Sequence, residues 1–415
     1  MKRRVVVTGL GVISPVGNDV ATTWRSLIDG KSGGAPITKF DAEKFPVRFA
    51  CEVKGFDPLA YMDRKEAKRA DPYTQYAVAG AVQAMRDAGF GEGTGYDKER
   101  TGVILGSGIG GLKSFEEQHD VYRDRGPSKI SPFFIPMFIA DIASGIVSMH
   151  YQAKGPNYAT VSACATSAHA IGDAFRCIQY GDADVMISGG SEATVTPMAI
   201  GGFANMQALS ERNDSPATAS RPFDKTRDGF VMGEGSGVVI LEELEHARRR
   251  GARIYAEVAG YGATGDAYHL TGQPPEHEGL QRAMRRALAD GGLTPADVDY
   301  VNAHGTSTPL NDSNEAKAIA KVFGEHARSI NVSSTKSATG HMLGAAGGLE
   351  FIACVLALRD QIVPPTINHS ETDPECAVVD LTPNVAKRRE VRAALSNSAG
   401  FGGHNVSVAV KQYAE

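Results

Sequence analysis

The sequence lacks several features that define common classes of protein. No apolar run approaches the about 18 residues that a membrane-spanning helix needs, so we expect no membrane span. Neither a CxxC pair nor an HExxH pattern occurs, which disfavours a zinc site or another catalytic metal. The five cysteines are odd in number and widely spaced, which disfavours a disulfide framework and predicts a reducing, cytoplasmic location. They are Cys51, Cys164, Cys177, Cys354 and Cys376.

A strong charge of one sign is also missing. The 43 Lys and Arg residues against 48 Asp and Glu give a formal net charge of -5, which argues against a general nucleic-acid binder. The basic N-terminus has no long apolar segment behind it, so residues 5–7 are predicted to form a buried strand rather than part of a signal peptide. A chain of 415 residues exceeds the size at which one core keeps growing, and we therefore expect two halves.

Cys164 lies where a predicted strand meets a predicted helix. Residues 158–161 have an extended pattern and residues 165–179 a helical one. The first backbone N–H groups of a helix lack partners inside the helix, and its dipole favours an anion, so a thiolate gains stability there. A neighbouring amide would be free to bind a thioester oxyanion. The alternative is a buried structural cysteine.

Two histidines occupy similar turns. His304 follows the predicted strand 298–303 and precedes the hydroxyl-rich run GTST, so it can present a ring nitrogen to a substrate. His341 precedes a predicted helix of small residues, 342–358. The alternatives are a loop-capping histidine and an ordinary helix-start residue. Their occurrence together with Cys164 favours acyl chemistry.

The order of predicted elements repeats along the chain. The first half has a helix at 72–88, a strand at 102–106, an apolar helix at 138–149, the Cys164 helix and a strand at 184–188. The second half has a helix at 276–289, the strand before His304, a helix at 311–323, a strand at 330–332 and the helix after His341. We therefore predict two packed α/β units, residues 1–251 and 252–415, with Cys164 and His341 at comparable places. Small residues on both of these helices predict close packing in a buried middle layer.

A glycine pattern suggests a nucleotide site, but its surroundings do not. Gly106, Gly108 and Gly111 form GxGxxG directly after a predicted strand. A dinucleotide site also needs a helix that begins at the glycines and a second strand about 20 residues later that ends in Asp or Glu. The following run, GLKSFEEQHDVYRDRG, is charged and is predicted to be a loop. An NAD(P)H-dependent oxidoreductase is therefore disfavoured.

Four motifs resemble the elongating β-ketoacyl-acyl-carrier-protein synthases of bacterial fatty acid synthesis. They are VSACATSAHAIG around Cys164, HGTSTPLND around His304, KSATGHMLGAAGG around His341 and the closing NSAGFGGHN. The resemblance runs from residue 5 to residue 410. It implies an α/β thiolase-like fold of two duplicated halves in five layers, α-β-α-β-α, and a homodimer. It also implies a decarboxylative Claisen condensation that requires no metal or organic cofactor.

The resemblance assigns a role to each matched residue. Cys164 would carry the acyl chain, and His304 and His341 would stabilise the enolate formed from malonyl-carrier protein. The backbone amides of Cys164 and Phe401 would bind the thioester oxyanion, and Phe401 would also gate the acyl tunnel. Further residues would order the site: Lys336, Glu350, Asp312 and Glu315. Others would contact the substrate: Thr306 and Thr308 at the phosphopantetheine arm, Thr271, and Ile109 and Phe203 along the tunnel, where the small Ile109 implies room for long chains.

The partner that the resemblance implies is acyl carrier protein, which is acidic. Since this chain is itself net negative, docking would depend on a local basic patch. The patch is provided by Arg64, Lys65, Lys68 and Arg69, although such a run can also be a solvated helix face. At Gln207 relatives often carry a basic residue, so one docking contact is absent here.

Two relatives with the same fold differ in their cysteines. Chain-length factors of polyketide systems are noncatalytic and lose the cysteine, whereas Cys164 and both histidines are present here. Thiolases add a second catalytic cysteine in a CxG setting near the C-terminus, and Cys376 lies in ECAVVD instead. Both alternatives are therefore disfavoured.

Overall fold

The computed structural model describes residues 2–91 and 93–414. The strands in that part of the chain are β1 (Val5–Ile13), β2 (Ala35–Pro36), β3 (Phe49–Ala50), β4 (Thr101–Gly106), β5 (Asn157–Tyr158), β6 (Val185–Glu192), β7 (Gly235–Glu243), β8 (Ala256–Gly265), β9 (Tyr300–Asn302), β10 (Asn331–Ser333), β11 (Ile362–Val363), β12 (Lys387–Arg388), β13 (Ala393–Gly400) and β14 (His404–Lys411). The helices are α1 (Val20–Ile28), α2 (Arg64–Ala67), α3 (Pro72–Asp87), α4 (Leu112–Arg125), α5 (Phe134–Phe138), α6 (Ile142–Tyr151), α7 (Thr166–Tyr180), α8 (Pro197–Asn205), α9 (Leu244–Arg249), α10 (Glu278–Asp290), α11 (Pro309–Phe323), α12 (Lys336–Thr339) and α13 (Ala346–Asp360).

Two sets of five strands have the same order. The first set runs β5-β4-β6-β7-β1 and the second β10-β9-β13-β14-β8. When the strands of each set are numbered along the chain, both orders become 3-2-4-5-1. In each set the first two pairs are parallel and the last two antiparallel. The sets join where Val5–Val7 pairs with Ala256–Val258. The duplication predicted from the sequence is confirmed.

Helices cover both faces of each strand set, which gives five layers. α3 packs on the outer face of the first set and α10 on that of the second. α7 and α13 lie between the sets and contact strands of both. α13 is buried on every side, which its almost wholly apolar sequence explains.

The middle layer is close-packed because glycines lie at the helix contact. A Cβ placed on Gly347 would lie 3.0 Å from the Cβ of Ala168. The amide of Gly348 donates a hydrogen bond to Ser167 Oγ at 2.8 Å. The close approach predicted from the small residues is therefore confirmed, and it brings the N-termini of α7 and α13 together.

Some predicted elements were wrong. The run after the GxGxxG glycines is the helix α4, with Gly111 at its N-cap, although it was predicted to be a loop. Phe115 of this helix contacts the rings of Phe134 and Phe138, and this apolar contact stabilises a helix whose other faces are charged. The helix predicted at 138–149 is α6, which begins only at Ile142 because Phe138 is the last residue of α5. The extended segment predicted at 158–161 pairs in the sheet only at Asn157–Tyr158.

Candidate active site

Cys164 lies in a short 3-10 helix, Ala163–Ala165, that leads directly into α7. Hydrogen bonds fix this turn, because Ser162 donates its N–H to Thr166 Oγ1 at 2.9 Å and accepts one from the Ala165 amide at 3.1 Å. Ala163 adopts the left-handed region with φ +49°. The predicted position of the cysteine at a helix N-terminus is confirmed.

The second half contains the same turn. The 3-10 helix Leu343–Ala345 leads into α13, and Leu343 has φ +46°. The residue equivalent to Cys164 is therefore Gly344, and His341 lies three residues earlier. The two reactive residues are thus at comparable but not identical places.

One cavity of about 540 Å³ brings most of the predicted residues together. Nine of them line it: Cys164, His304, His341, Phe401, Thr306, Thr308, Thr271, Ile109 and Phe203. Lys336, Glu350, Asp312 and Glu315 lie buried behind its wall. The cavity lining is mainly apolar, which suits an acyl chain.

The rings of His304 and His341 are in contact where they line the cavity. Their ring centroids are 5.3 Å apart at an interplanar angle of 84°. His341 is held by backbone hydrogen bonds to the segment beside β7, where its N–H donates to Val231 O at 2.7 Å. Its ring also packs edge-on against Phe230, with 5.3 Å between centroids. Both imidazoles are therefore held in place before any substrate binds.

A buried ion pair lies behind the histidines. Lys336 at the start of α12 pairs with Glu350 of α13, and both side chains are almost fully buried. Lys336 Nζ also lies 3.4 Å from His304 Nδ1. An ammonium can only donate, so Nδ1 of a neutral His304 accepts and its proton lies on Nε2. This tautomer leaves an N–H donor on the other side of the ring.

Burial sets the protonation of the reactive groups. The pKa of His304 and that of His341 fall well below the usual range, chiefly because of burial and secondarily because of Lys336. Both imidazoles are therefore neutral near pH 7. Burial raises the pKa of the Cys164 thiol to about 12, although Lys336 opposes the rise. The helix N-terminus is expected to stabilise a thiolate by about 1–2 kcal/mol, which would lower the pKa by about one unit. The rise caused by burial is larger, so burial outweighs the helix N-terminus.

Two carboxylates of α11 hold the loop that carries His304. Glu315 accepts hydrogen bonds from the amides of His304 at 2.8 Å and Gly305 at 2.7 Å. Asp312 accepts one from the amide of Ser307, which has φ +72°, and forms an ion pair with Arg227. Burial raises the pKa of Glu315 to about 7. Both residues thus order the loop without lining the cavity.

Phe401 lies in the turn between β13 and β14. Gly402 and Gly403 have φ +88° and +76°, which glycine adopts without strain. A Cβ on Gly400 would lie 3.2 Å from the Cys164 amide nitrogen and 2.7 Å from Ser162 O, so this turn touches the cysteine backbone. The Phe401 ring lies 6.4 Å from that of Phe203.

The remaining predicted residues lie along the cavity and outside it. Thr306 and Thr308 form a hydroxyl pair 2.8 Å apart. The four predicted docking residues, Arg64, Lys65, Lys68 and Arg69, are all exposed. The guanidinium carbon of Arg69 lies 3.9 Å from the centroid of the Phe133 ring. Gln207 is exposed and lines the cavity.

Sequence reasoning missed two buried residues of the site. Glu192, at the end of β6, accepts hydrogen bonds from Ser107 Oγ and from the amides of Gly108, Ile109 and Gly344. It thereby ties the GxGxxG segment to the turn before α13, and burial raises its pKa to about 6. Its sequence surroundings show only a carboxylate at the end of an apolar strand, which does not reveal its distant partners. The other residue is His277, which lines the cavity and had no recognisable motif.

Two kinds of feature are absent from the part of the chain that the structure describes. No helix within residues 2–91 and 93–414 is long and apolar enough to cross a membrane. Over the same residues, no group of three or more His, Cys, Asp or Glu side chains is arranged to hold a metal ion.

Relatives of this chain share one family. The family model described as beta-ketoacyl synthase, N-terminal domain, matches residues 2–247, and the one described as beta-ketoacyl synthase, C-terminal domain, matches residues 255–370. A protein of Synechocystis sp. named 3-oxoacyl-[acyl-carrier-protein] synthase 2 is 54% identical over 99% of both chains. Proteins of the same name from Coxiella burnetii and Staphylococcus aureus are 54% and 52% identical, over 97% and 99% of both chains.

Solved structures agree with this result. The ishigamide ketosynthase/chain length factor superposes with a TM-score of 0.93 at 36% identity over the whole of both chains. A type II polyketide ketosynthase in complex with its acyl-carrier protein superposes with a TM-score of 0.92 at 36% identity, again over both whole chains. The predicted thiolase-like fold is confirmed. The chain belongs to the beta-ketoacyl synthase family.

Proposed function

We propose that the protein is a 3-oxoacyl-acyl-carrier-protein synthase that elongates fatty acids. The observation that carries the proposal is the meeting of Cys164, His304 and His341 at one mainly apolar cavity. Names of relatives that are 52–54% identical over nearly the whole chain support it. The presence of the cysteine also argues against a noncatalytic partner subunit.

The reaction proceeds in two half-reactions. The Cys164 sulfur attacks the acyl thioester of acyl carrier protein, a new acyl-sulfur bond forms, and the carrier leaves as its thiol with the proton that Cys164 gives up. Malonyl-carrier protein then loses carbon dioxide, and the electron pair of the broken carbon–carbon bond forms an enolate. The enolate carbon attacks the acyl group on Cys164. This releases 3-oxoacyl-carrier protein and breaks the bond to the Cys164 sulfur, which leaves as a thiolate and takes one proton from solvent to become the thiol again.

The neutral histidines act as hydrogen-bond donors. Negative charge develops on the enolate oxygen, and donors fixed in advance in a dry pocket stabilise such charge most effectively. The proton on His304 Nε2, whose position follows from the contact with Lys336, makes this ring a donor. His341 acts beside it. The amides of Cys164 and Phe401 serve the acyl oxyanion in the same way.

The substrate arrives on its own prosthetic arm, so no separate organic cofactor or metal takes part in the proposed chemistry. The amides and hydroxyl of phosphopantetheine meet Thr306 and Thr308, with Thr271 at the exposed end. Ile109 and Phe203 line the acyl tunnel. Phe401 gates it, because its glycine neighbours allow the turn to move.

Acyl carrier protein is the partner that docks at the cavity mouth. The exposed basic residues Arg64, Lys65, Lys68 and Arg69 complement its acidic surface. Reversal of two charges, Lys65→Glu with Lys68→Glu, should raise KM for carrier-bound substrates and leave KM for pantetheine-bound substrates unchanged. Lys387→Glu on β12 is the matched control, and an equal effect on both substrate forms would contradict docking here.

We also propose that the protein is a cytoplasmic homodimer and that each chain consists of two halves, residues 1–251 and 252–415. β5 is an edge strand of the large sheet, and apolar side chains near it are exposed, including Met149, Tyr158 and Val161. Such an edge needs cover, which a second copy can supply. Light scattering tests this, and a monomer at micromolar concentration would contradict it.

Turnover with malonyl-carrier protein and acyl-carrier proteins of graded length tests the function. The expected products are carbon dioxide and 3-oxoacyl-carrier protein. Cys164→Ala should abolish acyl transfer. Cys164→Gln should lose condensation but keep malonyl decarboxylation, since the glutamine amide resembles a bound acyl group. Absence of product with every chain length would overturn the proposal.

A further inference from the structure

A polar pair lies beside the turn that carries Cys164. Ser162 Oγ is 2.7 Å from Nδ1 of His169, which is a hydrogen-bonding distance. The imidazole also hydrogen-bonds the backbone of Ala165. One ring therefore contacts the chain on both sides of Cys164, and the proposed reaction gives the pair no role.

The turn itself adopts a backbone conformation that needs support. Ala163 has φ +49°, in the left-handed region that non-glycine residues seldom adopt. The next residue is Cys164, whose thiol and amide would both act in acyl transfer. Residues in such conformations persist where their surroundings hold them, and they cluster at functional sites.

The second half of the chain shows that the fold does not require this pair. In the equivalent turn before α13, Met342 and Leu349 occupy the positions of Ser162 and His169. Both are buried apolar residues. Leu343 nevertheless has φ +46°, as in the first half. The polar pair thus belongs to the half that carries the nucleophile, which favours a role in the reaction.

The His169 ring lies between two other rings and is uncharged. The centroid of the Tyr261 ring is 6.5 Å away and that of the His404 ring 6.3 Å away, both nearly perpendicular to it. Burial first and His404 second lower the pKa of His169 to about 4. The ring is therefore neutral near pH 7, and it can hydrogen-bond a hydroxyl and a backbone group without bringing a charge to the turn.

We propose that His169 is a positioning residue that acts through Ser162 and Ala165 to hold the Cys164 turn in the geometry for acyl transfer. His169 does not line the cavity, so its effect on the reaction passes through these two neighbours of the cysteine. Small displacements of a reacting group slow a reaction strongly, because the reacting atoms must be aligned. The inference rests on the proposed function, since that function supplies the acyl group.

The first test compares His169→Ala with His169→Asn. Alanine removes both contacts, so single-turnover acylation of Cys164 by acyl-carrier protein should slow about tenfold, the effect of one or two neutral hydrogen bonds. Asparagine places an amide near the position of Nδ1 and can donate and accept, so His169→Asn should stay within about threefold of wild type. An unchanged acylation rate in His169→Ala would overturn the inference.

A double-mutant cycle with Ser162→Ala tests the route of the effect. Ser162→Ala removes one of the two contacts and should slow acylation about threefold, so it carries the test if His169→Ala does not fold. Removal of the ring should then cost less in Ser162→Ala than in wild type, because residues that act as a unit are not additive. Equal factors in the two backgrounds would contradict action through Ser162.

Malonyl decarboxylation separates positioning from general packing. It is measured in the Cys164→Gln background, where it depends on His304 and His341 rather than on the thiol. Addition of His169→Ala should change it by less than about twofold. A loss as large as that in acylation would show that the whole site has loosened, and it would overturn the inference.

His326→Ala is the matched control. His326 is also half-buried, and its Nε2 lies 3.0 Å from the backbone oxygen of Val298, but it does not line the cavity. The same substitution there removes one imidazole and one backbone contact far from the cysteine. Its acylation rate should match that of wild type.

Hydrogen exchange separates this inference from the proposed function. The Ala165 amide, which donates to Ser162 O at 3.1 Å, should exchange at least about threefold faster in His169→Ala and at the wild-type rate in His326→Ala. This measurement needs no turnover. If wild type transfers no acyl group, the proposed function fails, yet equal exchange at Ala165 in wild type and His169→Ala is what would refute the role of His169.

Discussion

Cys164 should alkylate far more slowly at neutral pH than an ordinary thiol. Burial raises its pKa from 9.0 to about 12. At pH 7 a thiol of pKa 12 is about one part in 100,000 thiolate, whereas a thiol of pKa 9.0 is about one part in 100. Because the thiolate is the reacting form, the structure predicts a rate about 1,000-fold below that of an unperturbed cysteine.

The assay is iodoacetamide labelling between pH 6 and pH 9, read peptide by peptide with mass spectrometry. The rate at Cys164 should rise about tenfold per pH unit throughout, which is about 1,000-fold over the range, without a plateau. Glutathione, whose thiol is fully exposed, is labelled in the same sample and serves as the reference, because burial also raises the pKa of Cys177. A plateau at Cys164 below pH 8 would refute the reasoning, because it would mean that the helix N-terminus outweighs burial.

A variant of Lys336 extends the same labelling experiment. Its charge is the foremost of the influences that lower the pKa of Cys164, so Lys336→Met should slow alkylation at every pH. The substitution also leaves Glu350 buried without its partner, which typically costs about 3–5 kcal/mol, so thermal unfolding must confirm that the variant is folded. Faster alkylation in a folded variant would show that Lys336 does not stabilise the thiolate.

Three other substitutions test the groups that support the site. Burial raises the pKa of Glu315 from 4.5 to about 7, so its contribution to the free energy of unfolding is fully present below pH 4.5 and is lost as the pH rises to 7. The free energy of unfolding, measured with urea, should therefore decline over that window. Glu315→Gln should reduce this decline by up to about 1.4 kcal/mol per pH unit. Glu192→Gln cannot accept four hydrogen bonds and puts an NH₂ against amide donors, so Tm and the acylation rate should both fall, and unchanged values would contradict its bracing role. Gly400→Ala would place a Cβ 2.7 Å from Ser162 O, so single-turnover acylation of Cys164 should fall at least about tenfold, whereas Gly201→Ala, with its nearest contact at 3.5 Å, should match wild type.

The sequence predicted the features that depend on local pattern. Cys164 and His304 lie where strand and helix signals meet, and the small residues of the two middle helices predicted their close packing, so these predictions needed no knowledge of distant contacts. Glu192 could not be found in this way, because its four donors come from residues 107–109 and from Gly344. The helix α4 was missed because its apolar residues are few, although Leu112, Phe115 and Tyr122 recur at helical spacing.

Burial explains why this site uses neutral groups. The side chains of Cys164, His304 and His341 are buried, so a charge there is costly unless it is paired, as Lys336 and Glu350 are behind the histidines. The thiol and both imidazoles are accordingly uncharged at rest. In the proposed reaction the malonyl carboxylate brings one negative charge, which passes to the enolate oxygen as carbon dioxide leaves and then to the acyl oxyanion, and fixed N–H donors would stabilise it at both places. Interactions that strengthen only as the transition state forms are the ones that accelerate a reaction. Hydrogen bonds to a developing charge are stronger in a buried site than in water. The burial that disfavours the Cys164 thiolate therefore favours the condensation step.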